Sequence, residues 1–288
     1  YLSSRYGRDL ADRKGLPCVE IQHHHAHMAA ALGANAWDGK TAIGIVLDGL
    51  GFGDDGAIWG GEVLVGNYRS VRRAGHLAYA PLIGGDRAQR EPWRNALARL
   101  DAAGLSATSD RLFGEFPVSL LRAAARSVSH APPSSSVGRL FDAVSACLGI
   151  VVGSQSYEGE AAMRLEALAS LSDDHGVYDL ACVNGVIDPG LMFDGIFADL
   201  ANGIAEADVA RRCHRTIANS FADVGRRAAE QAGADTIALS GGCFQNGLLL
   251  TMMAEQLRDF DLCGPGPVPV NDGGIAFGQA MVALAQAV

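Results

Sequence analysis

Residues Ile21-Gln22-His23-His24-His25-Ala26-His27 place four of the chain's eight histidines within five positions. They open an alanine-rich stretch, Met28-Ala29-Ala30-Ala31-Leu32, that reads as a helix. Residues four apart share one helix face, so His23 and His27 can point at one ion. Both stand in the first helical turn, whose positive end disfavours imidazolium and favours the neutral ring that binds a metal. A purification tag or a solvated surface cluster are the plainer explanations of such a run. A tag fits poorly, because Ala26 interrupts the run and an apolar strand-like stretch precedes it.

A carboxylate follows at the end of Thr41-Ala-Ile-Gly-Ile-Val-Leu-Asp48, a continuous apolar run expected as a buried strand. Gly49-Leu-Gly-Phe-Gly-Asp-Asp-Gly56 comes next and contains a literal G-x-G-x-x-G. A second strand-like run, residues 57–65, stands where the dinucleotide fingerprint requires a helix, so a β-hairpin with a Gly-rich turn is the better reading. Backbone N–H groups in such a turn can approach phosphate oxygens, with Asp48 facing a cation held there. A plain hairpin with an ordinary strand-end Asp fits equally well.

Further along, Ser136-Val-Gly138-Arg139 opens a helix to about Leu148, and N–H groups in its first turn favour an anion. Glu158 and Glu160 begin another helix, where acidic residues also suit the positive end for purely structural reasons. Thr236–Ser240, a buried strand, runs into Gly241-Gly242-Cys243-Phe-Gln-Asn246 and then a helix to about Leu257. Strand, diglycine and helix N-terminus form a phosphate or nucleoside platform, but without Gly-Lys-Ser/Thr it is not a Walker A loop. Cys243 has no histidine nearby in sequence and reads as a small buried residue. Asp272 precedes an apolar C-terminal helix; it is at minimum an N-cap, and as a metal ligand it would join the histidines. Arg87, Arg90 and Arg94 read as surface charges or as a clamp for an anionic ligand.

The elements that must carry these groups follow from pattern. Leu16–Gln22 reads as a short strand, residues 79–91 as a loop, and Pro92 as the first turn of a helix to about Leu100. Leu120–Val128 reads as helical, Ala131–Ser136 as a linker between lobes, residues 177–197 as strand-like, and residues 206–232 as one long helix.

Composition narrows the function. The chain has 288 residues, is 49% hydrophobic and 19% charged, and carries a formal charge of −9. It contains no clustered basic footprint, which speaks against nucleic acid as a direct partner. No apolar run approaches the roughly 18–20 residues that span a bilayer. The six scattered cysteines form neither a zinc motif nor a disulfide framework, and with no signal peptide in view a cytoplasmic location is expected. Because the chain opens at Tyr1, a fragment of a longer protein is expected.

The order of these motifs resembles one family. His-x-x-x-His is followed by Asp-Gly-Leu-Gly-Phe-Gly-Asp-Asp-Gly and by Gly-Gly-Asp-Arg…Arg-Glu-Pro-Trp-Arg. Then come Val-Gly-Arg-Leu-Phe-Asp-Ala-Val, Ser-Tyr-Glu-Gly-Glu-Ala-Ala-Met, Ser-Gly-Gly-Cys-Phe-Gln-Asn and Asn-Asp-Gly-Gly-Ile-Ala. The set resembles the C-terminal Kae1-like region of the HypF carbamoyltransferases of [NiFe]-hydrogenase maturation. The opening Tyr1-Leu-Ser-Ser is similar to the end of an Asp-x-His-Pro-x-Tyr-x-Ser motif.

That resemblance implies an α/β fold of the two-lobed actin/Hsp70/sugar-kinase (ASKHA, Kae1-like) type, with nucleotide and metal in the interlobe cleft. Residues 1–130 would form the first lobe and 131–271 the second, nucleotide-binding lobe, with the C-terminal helix of 272–288 packing back on the first. His23, His27, Asp48 and Asp272 are implied as metal ligands. Gly138, Arg139, Glu158, Gly159, Gly241, Gly242 and Asn246 are implied as nucleotide contacts. Glu160 stands where many relatives carry Gln. The implied cofactors are ATP or carbamoyl adenylate and a divalent ion, iron or zinc, with Mg²⁺ as the alternative. Carbamoyl adenylate, made from carbamoyl phosphate and ATP, would pass its carbamoyl group to the C-terminal Cys of the partner HypE. An upstream YrdC-like domain of the same protein would be the other partner. His24 or His25 would shuttle the acceptor's proton, packing or support of the ligands being the alternative. The rival readings are O-carbamoyl transfer to a small-molecule hydroxyl, tRNA threonylcarbamoyl transfer, and a non-catalytic ATP-binding scaffold.

Overall fold

The computed structural model describes residues 2–287; Tyr1, the first residue of the partial motif, lies outside them. Helix α1 (Leu2–Lys14) leads by an extended segment to α2 (His23–Ala34). The strands β1 (Ala42–Phe52), β2 (Ile58–Gly66), β3 (Val71–Leu77) and the short β4 (Ala80–Pro81) follow. Helices α3 (Asp86–Arg90), α4 (Pro92–Ala102), α5 (Ser106–Phe113) and α6 (Val118–Ala125) lead to β5 (Pro133–Ser134). Then come α7 (Val137–Cys147), α8 (Glu160–Ala169), the β6 (Ala181–Val183)–β7 (Val186–Asp188) hairpin and α9 (Gly190–Ala201). Helix α10 (Glu206–Ala232), β8 (Thr236–Ser240), α11 (Gly247–Gln256), β9 (Asp261–Cys263) and α12 (Ile275–Ala287) complete the chain.

The described strands form one sheet in the order β6-β7-β3-β2-β1-β8-β9, with β4 and β5 attached beside β2. Strand β1 is antiparallel to β2 and parallel to β8, with Ile43 opposite Ile237 and Val46 opposite Ser240. The carboxyl ends of β1 and β8 therefore emerge side by side, the place where α/β sheets bind ligands. The expected boundary between residues 130 and 131 runs through this sheet, because β1 and β8 hydrogen-bond directly.

Strand β1 is buried on both faces, which is why it reads as a continuous apolar run. Ile43, Ile45 and Leu47 enter the larger core with Phe141 of α7 and Ile217 and Phe221 of α10. Ala42 and Val46 enter a smaller core with Met28 and Leu32 of α2 and with Trp59 and Leu64 of β2. Buried positions recur every three or four residues along α10 (Ala210, Cys213, His214, Ile217, Ala218, Phe221), the stripe of a helix laid on a sheet. It ends at Gly233 in the left-handed region, whose N–H satisfies the Ala229 and Glu230 carbonyls.

Three expectations are corrected. Leu16–Gln22 is not a strand: no described strand pairs with it, and Leu16 and Val19 stay exposed. Residues 177–197 are strand only in the β6–β7 hairpin, after which Gly190 starts α9. Residues 79–91 are loop interrupted by β4 and α3. The C-terminal α12 does pack on α2: a β-carbon on Gly278 would run into the Ala26 carbonyl, and only glycine allows that approach. Among the described residues no helix is long and apolar enough to cross a membrane, and the six cysteines are unpaired.

Candidate metal centre

Helix α2 delivers the histidines. Gln22 caps it, its side chain accepting the His25 N–H at 2.8 Å, and residues 23–32 are buried on every side. Strand β1 delivers Asp48 through an irregularity in its pairing. Leu47 pairs with Gly61 but Gly51 with Trp59, so residues 48–50 bulge from the ladder and Asp48 turns out of the sheet. A β-carbon on Gly51 would overlap the His24 ring, so the hairpin backbone lies flush on the histidines. The turn before α12 delivers Asp272, and the close α2–α12 packing fixes its distance from His27.

The four groups converge. His23 Nε2 lies 3.0 Å from Asp48 Oδ2 and 3.7 Å from Asp272 Oδ1. His27 Nε2 lies 3.5 Å from Asp48 Oδ2 and 3.4 Å from Asp272 Oδ1. All four ligand atoms fall within 4.8 Å of one another. Donors bound to one tetrahedral ion at about 2.0–2.1 Å are separated by about 3.3 Å, so this spacing fits a small divalent cation. The donor set fits as well: two imidazoles and two carboxylates without thiolate suit Fe²⁺, Mn²⁺ or Zn²⁺. His27 Nε2 is buried without a hydrogen-bond partner among the described residues, the mark of an atom shaped for a ligand.

Electrostatics point the same way. Burial opposes ionisation of Asp48, yet the His23 hydrogen bond and the His27 ring 3.5 Å away hold its carboxyl well below the usual range. Burial likewise opposes charging of His27, but the Asp272 and Asp48 carboxylates lift it to about 9. At this ring the two carboxylates act against the helix end. A cation bound between these groups would displace that proton. Asp272 is 65% exposed at its side chain, so the centre opens to solvent on that side.

His24 and His25 lie outside the cluster. His24 is fully buried with its ring 5.6 Å from that of Trp59, and burial, then His23, holds it well below the ordinary histidine range. His25 Nε2 donates to the Asn67 carbonyl at 2.8 Å. The His25 ring is thus held by the β2–β3 turn, while His24 Nε2 is buried without a hydrogen-bond partner among the described residues.

The glycine-rich contacts adjoin Asp48. Gly242 N–H donates to Asp48 Oδ1 at 3.0 Å, leaving Oδ2 to face the histidines. Gly241 has φ +100°, and a β-carbon there would collide with the Leu47 carbonyl. Gly138 packs on Gly49, with its would-be β-carbon 3.1 Å from Gly49 Cα. Ser136 caps α7, accepting the Arg139 N–H at 3.0 Å, and donates to the Asp48 and Gly49 carbonyls. Beneath it, fully buried Glu62 accepts from Ser135 Oγ, the Gly60 and Gly61 amides and Arg73 Nε.

Arg139 is buried, its Nε 3.2 Å from Asp142 Oδ2, and its Nε and Nη1 find no hydrogen-bond partner among the described residues. Those donors suit an anionic group. Burial raises Asp142 to about 6 against the pull of Arg139. Asn246 sits at the head of α11, its Oδ1 accepting the Leu249 N–H at 2.8 Å. Leu248 N–H is taken by Glu166 at 3.2 Å, so the α11 N-terminus already holds acceptors of its own. Glu158 is exposed ahead of α8, and Gly159 caps that helix with φ +79°. Glu160 is buried, accepts the Ser156 N–H at 2.5 Å and pairs with Arg164 at 2.6 Å. Arg87 and Arg90 are exposed, whereas Arg94 is buried against Glu91 at 2.7 Å, not set in a clamp with them.

The sequence reading missed Asp142 and His214. His214 had a signal, since its spacing from Ala210, Ile217 and Ala218 places it on the buried stripe of α10.

The family profile described as "Carbamoyltransferase, Kae1-like Domain, second subdomain" matches residues 44–279, and "HypF Kae1-like domain" matches residues 1–34. The carbamoyltransferase HypF of Rhodobacter capsulatus is 54% identical over 99% of this chain and 38% of its own length. A HypF homolog of Cupriavidus necator is 38% identical over 99% of this chain and 76% of its own. Full-length HypF in a phosphate- and nucleotide-bound form superposes with a TM-score of 0.89 at 34% identity, over 98% of this chain and 45% of that one. HypF of T. kodakarensis gives 0.89 at 28% identity, over 99% and 39%. The chain belongs to the HypF carbamoyltransferase family. It spans less than half the length of the R. capsulatus relative and of both these solved structures.

Proposed function

We propose that this chain is the carbamoyl-transfer region of its protein, acting on carbamoyl adenylate made from carbamoyl phosphate and ATP. The observation that carries the reading is the convergence of His23, His27, Asp48 and Asp272 beside the glycine-rich ends of β1 and β8. These four residues would hold a divalent ion, iron or zinc ahead of Mg²⁺. When bound, the ion would supply Lewis acidity to the carbamoyl oxygen and charge neutralisation to the adenylate phosphate.

The chain's own groups do the rest. Arg139 offers two unfilled donors to an anionic oxygen. Gly138, Gly241 and Gly242 keep side chains away from the nucleotide, and Glu158, Gly159 and Asn246 line its outer side. His24 and His25 hold the ligand helix in place. The acceptor is the C-terminal Cys of HypE: its thiolate sulfur bonds the carbamoyl carbon, the bond to the adenylate phosphate breaks, and AMP leaves with the electron pair. The thiol proton passes to solvent. An upstream YrdC-like domain of the same protein supplies the adenylate, and the reaction belongs in the cytoplasm. Residues 1–130 and 131–271 contribute the two sides of the cleft.

Single-turnover transfer from carbamoyl adenylate to purified HypE, read by intact-protein mass, tests this. A carbamoyl-sized gain on the terminal Cys, lost on chelation, is expected. No gain with the full-length protein, metal and nucleotide being bound, overturns it.

A further inference from the structure

Asn246 has a partner that the nucleotide reading does not use. His214, on α10, is fully buried and its ring packs against Phe141 at 4.9 Å between centroids. Its Nδ1 lies 2.9 Å from the Ala210 carbonyl, which can only accept, so Nδ1 carries the proton. Nε2 is then a lone pair, and it accepts from Asn246 Nδ2 at 3.0 Å. That bond settles which end of the Asn246 amide faces which way. Oδ1 is turned to the Leu249 N–H, and α11 is capped.

The turn that Asn246 closes is the one whose Gly242 N–H holds Asp48 Oδ1. The Asn246 N–H donates to the Cys243 carbonyl at 3.1 Å and the Phe244 N–H to the Gly241 carbonyl at 3.0 Å, so the residue that His214 orients also closes the diglycine turn through its backbone. Burial lowers the His214 pKa to about 4, so the ring keeps its acceptor throughout the physiological range.

We propose that His214 is a positioning residue for nucleotide binding, acting through the Asn246 amide to hold the Gly241–Asn246 turn in its binding geometry. The inference rests on the nucleotide reading above. Removing the Nε2 acceptor leaves a buried amide N–H unpaired and frees Asn246 to rotate, which loosens both the cap and the turn. An acceptor of similar reach, such as a glutamine side-chain oxygen, restores the bond.

The test compares ATP binding and transfer kinetics in the full-length wild-type protein, His214→Phe, His214→Gln, Asn246→Ser and the double variant His214→Phe/Asn246→Ser. Expected are a roughly tenfold weaker ATP affinity and higher KM in His214→Phe, kcat within about twofold, and recovery in His214→Gln to within about threefold. The two single losses should not add in the double variant. Should His214→Phe fail to fold, His214→Gln and Asn246→Ser still decide: near-normal affinity in the first with a loss in the second supports the role. Wild-type ATP affinity in His214→Phe, or no recovery in a well-folded His214→Gln, overturns it while leaving nucleotide binding intact. Absence of ATP binding to the wild type overturns the nucleotide reading and this inference together.

Discussion

Gly51 stands against His23 so closely that a β-carbon there would lie 2.5 Å from His23 Cδ2. The glycine-rich hairpin is thus the wall that sets the angle of a ligand ring, before any role it has towards phosphate. Gly51→Ala should cost about 1–3 kcal/mol by overpacking and, by turning His23, weaken metal binding roughly tenfold. Gly49→Ala is the control, since its β-carbon would meet nothing within 4 Å. Thermal melting and metal titration of both variants check this; equal metal affinity in the two contradicts it.

Asp272 depends on a different contact. The Gly278–Ala26 approach clamps α12 to α2, so Gly278→Val should push the Asp272 turn away from His27 while leaving the His23–Asp48 pair in place. Metal affinity should drop by about tenfold or more with one carboxylate displaced. Titration calorimetry reads the change, and an unaltered affinity would show that α12 does not set this ligand.

Glu62 is wholly buried with four donors aimed at it, Arg73 Nε among them at 2.5 Å. Glu62→Gln takes the buried carboxylate from Arg73, leaving it only the more exposed Asp55 at 3.3 Å, and should destabilise the fold by about 3 kcal/mol. Denaturant unfolding measures this, and a loss below about 1 kcal/mol would mean that Arg73 finds other compensation.

Asp142 carries a pH signature. Its folded-state pKa, about 6, lies above the ordinary carboxyl value, so the folded protein binds this proton more tightly than the unfolded chain. The stability it contributes is complete below about pH 4 and is lost as pH rises through about 6. Wild type should therefore lose stability relative to Asp142→Asn between pH 4.5 and 6.5, by about 1–3 kcal/mol, and hold a constant difference above pH 7. Urea unfolding across that range checks the sign; a difference that moves the other way assigns the buried charge wrongly.

Much of the centre was legible because its logic is local. His23 and His27 share a face by helical spacing alone, and Asp48 ends a long continuous apolar run that reads as a core strand. Asp272 was not legible in this way, since an N-cap explains it equally well; motif order carried it. The bulge at residues 48–50 was invisible because it exists only against β2, and β9 and the β6–β7 hairpin are too short to show a period. The direct β1–β8 pairing depends on contacts distant in sequence, so no local pattern announces it. Long α10 was read to its true ends, yet its one buried histidine was lost among charged neighbours.

The proposed chemistry depends on a metal ion held by His23, His27, Asp48 and Asp272. Crystals of the full-length protein grown with Fe²⁺ or Zn²⁺ and measured at that metal's absorption edge should show one anomalous peak bonded to His23 Nε2, His27 Nε2, Asp48 Oδ2 and Asp272 Oδ1. The peak should vanish in His27→Ala, with transfer activity lowered by at least about 100-fold. No peak at these four atoms, or a peak of full height and full activity in His27→Ala, would contradict it.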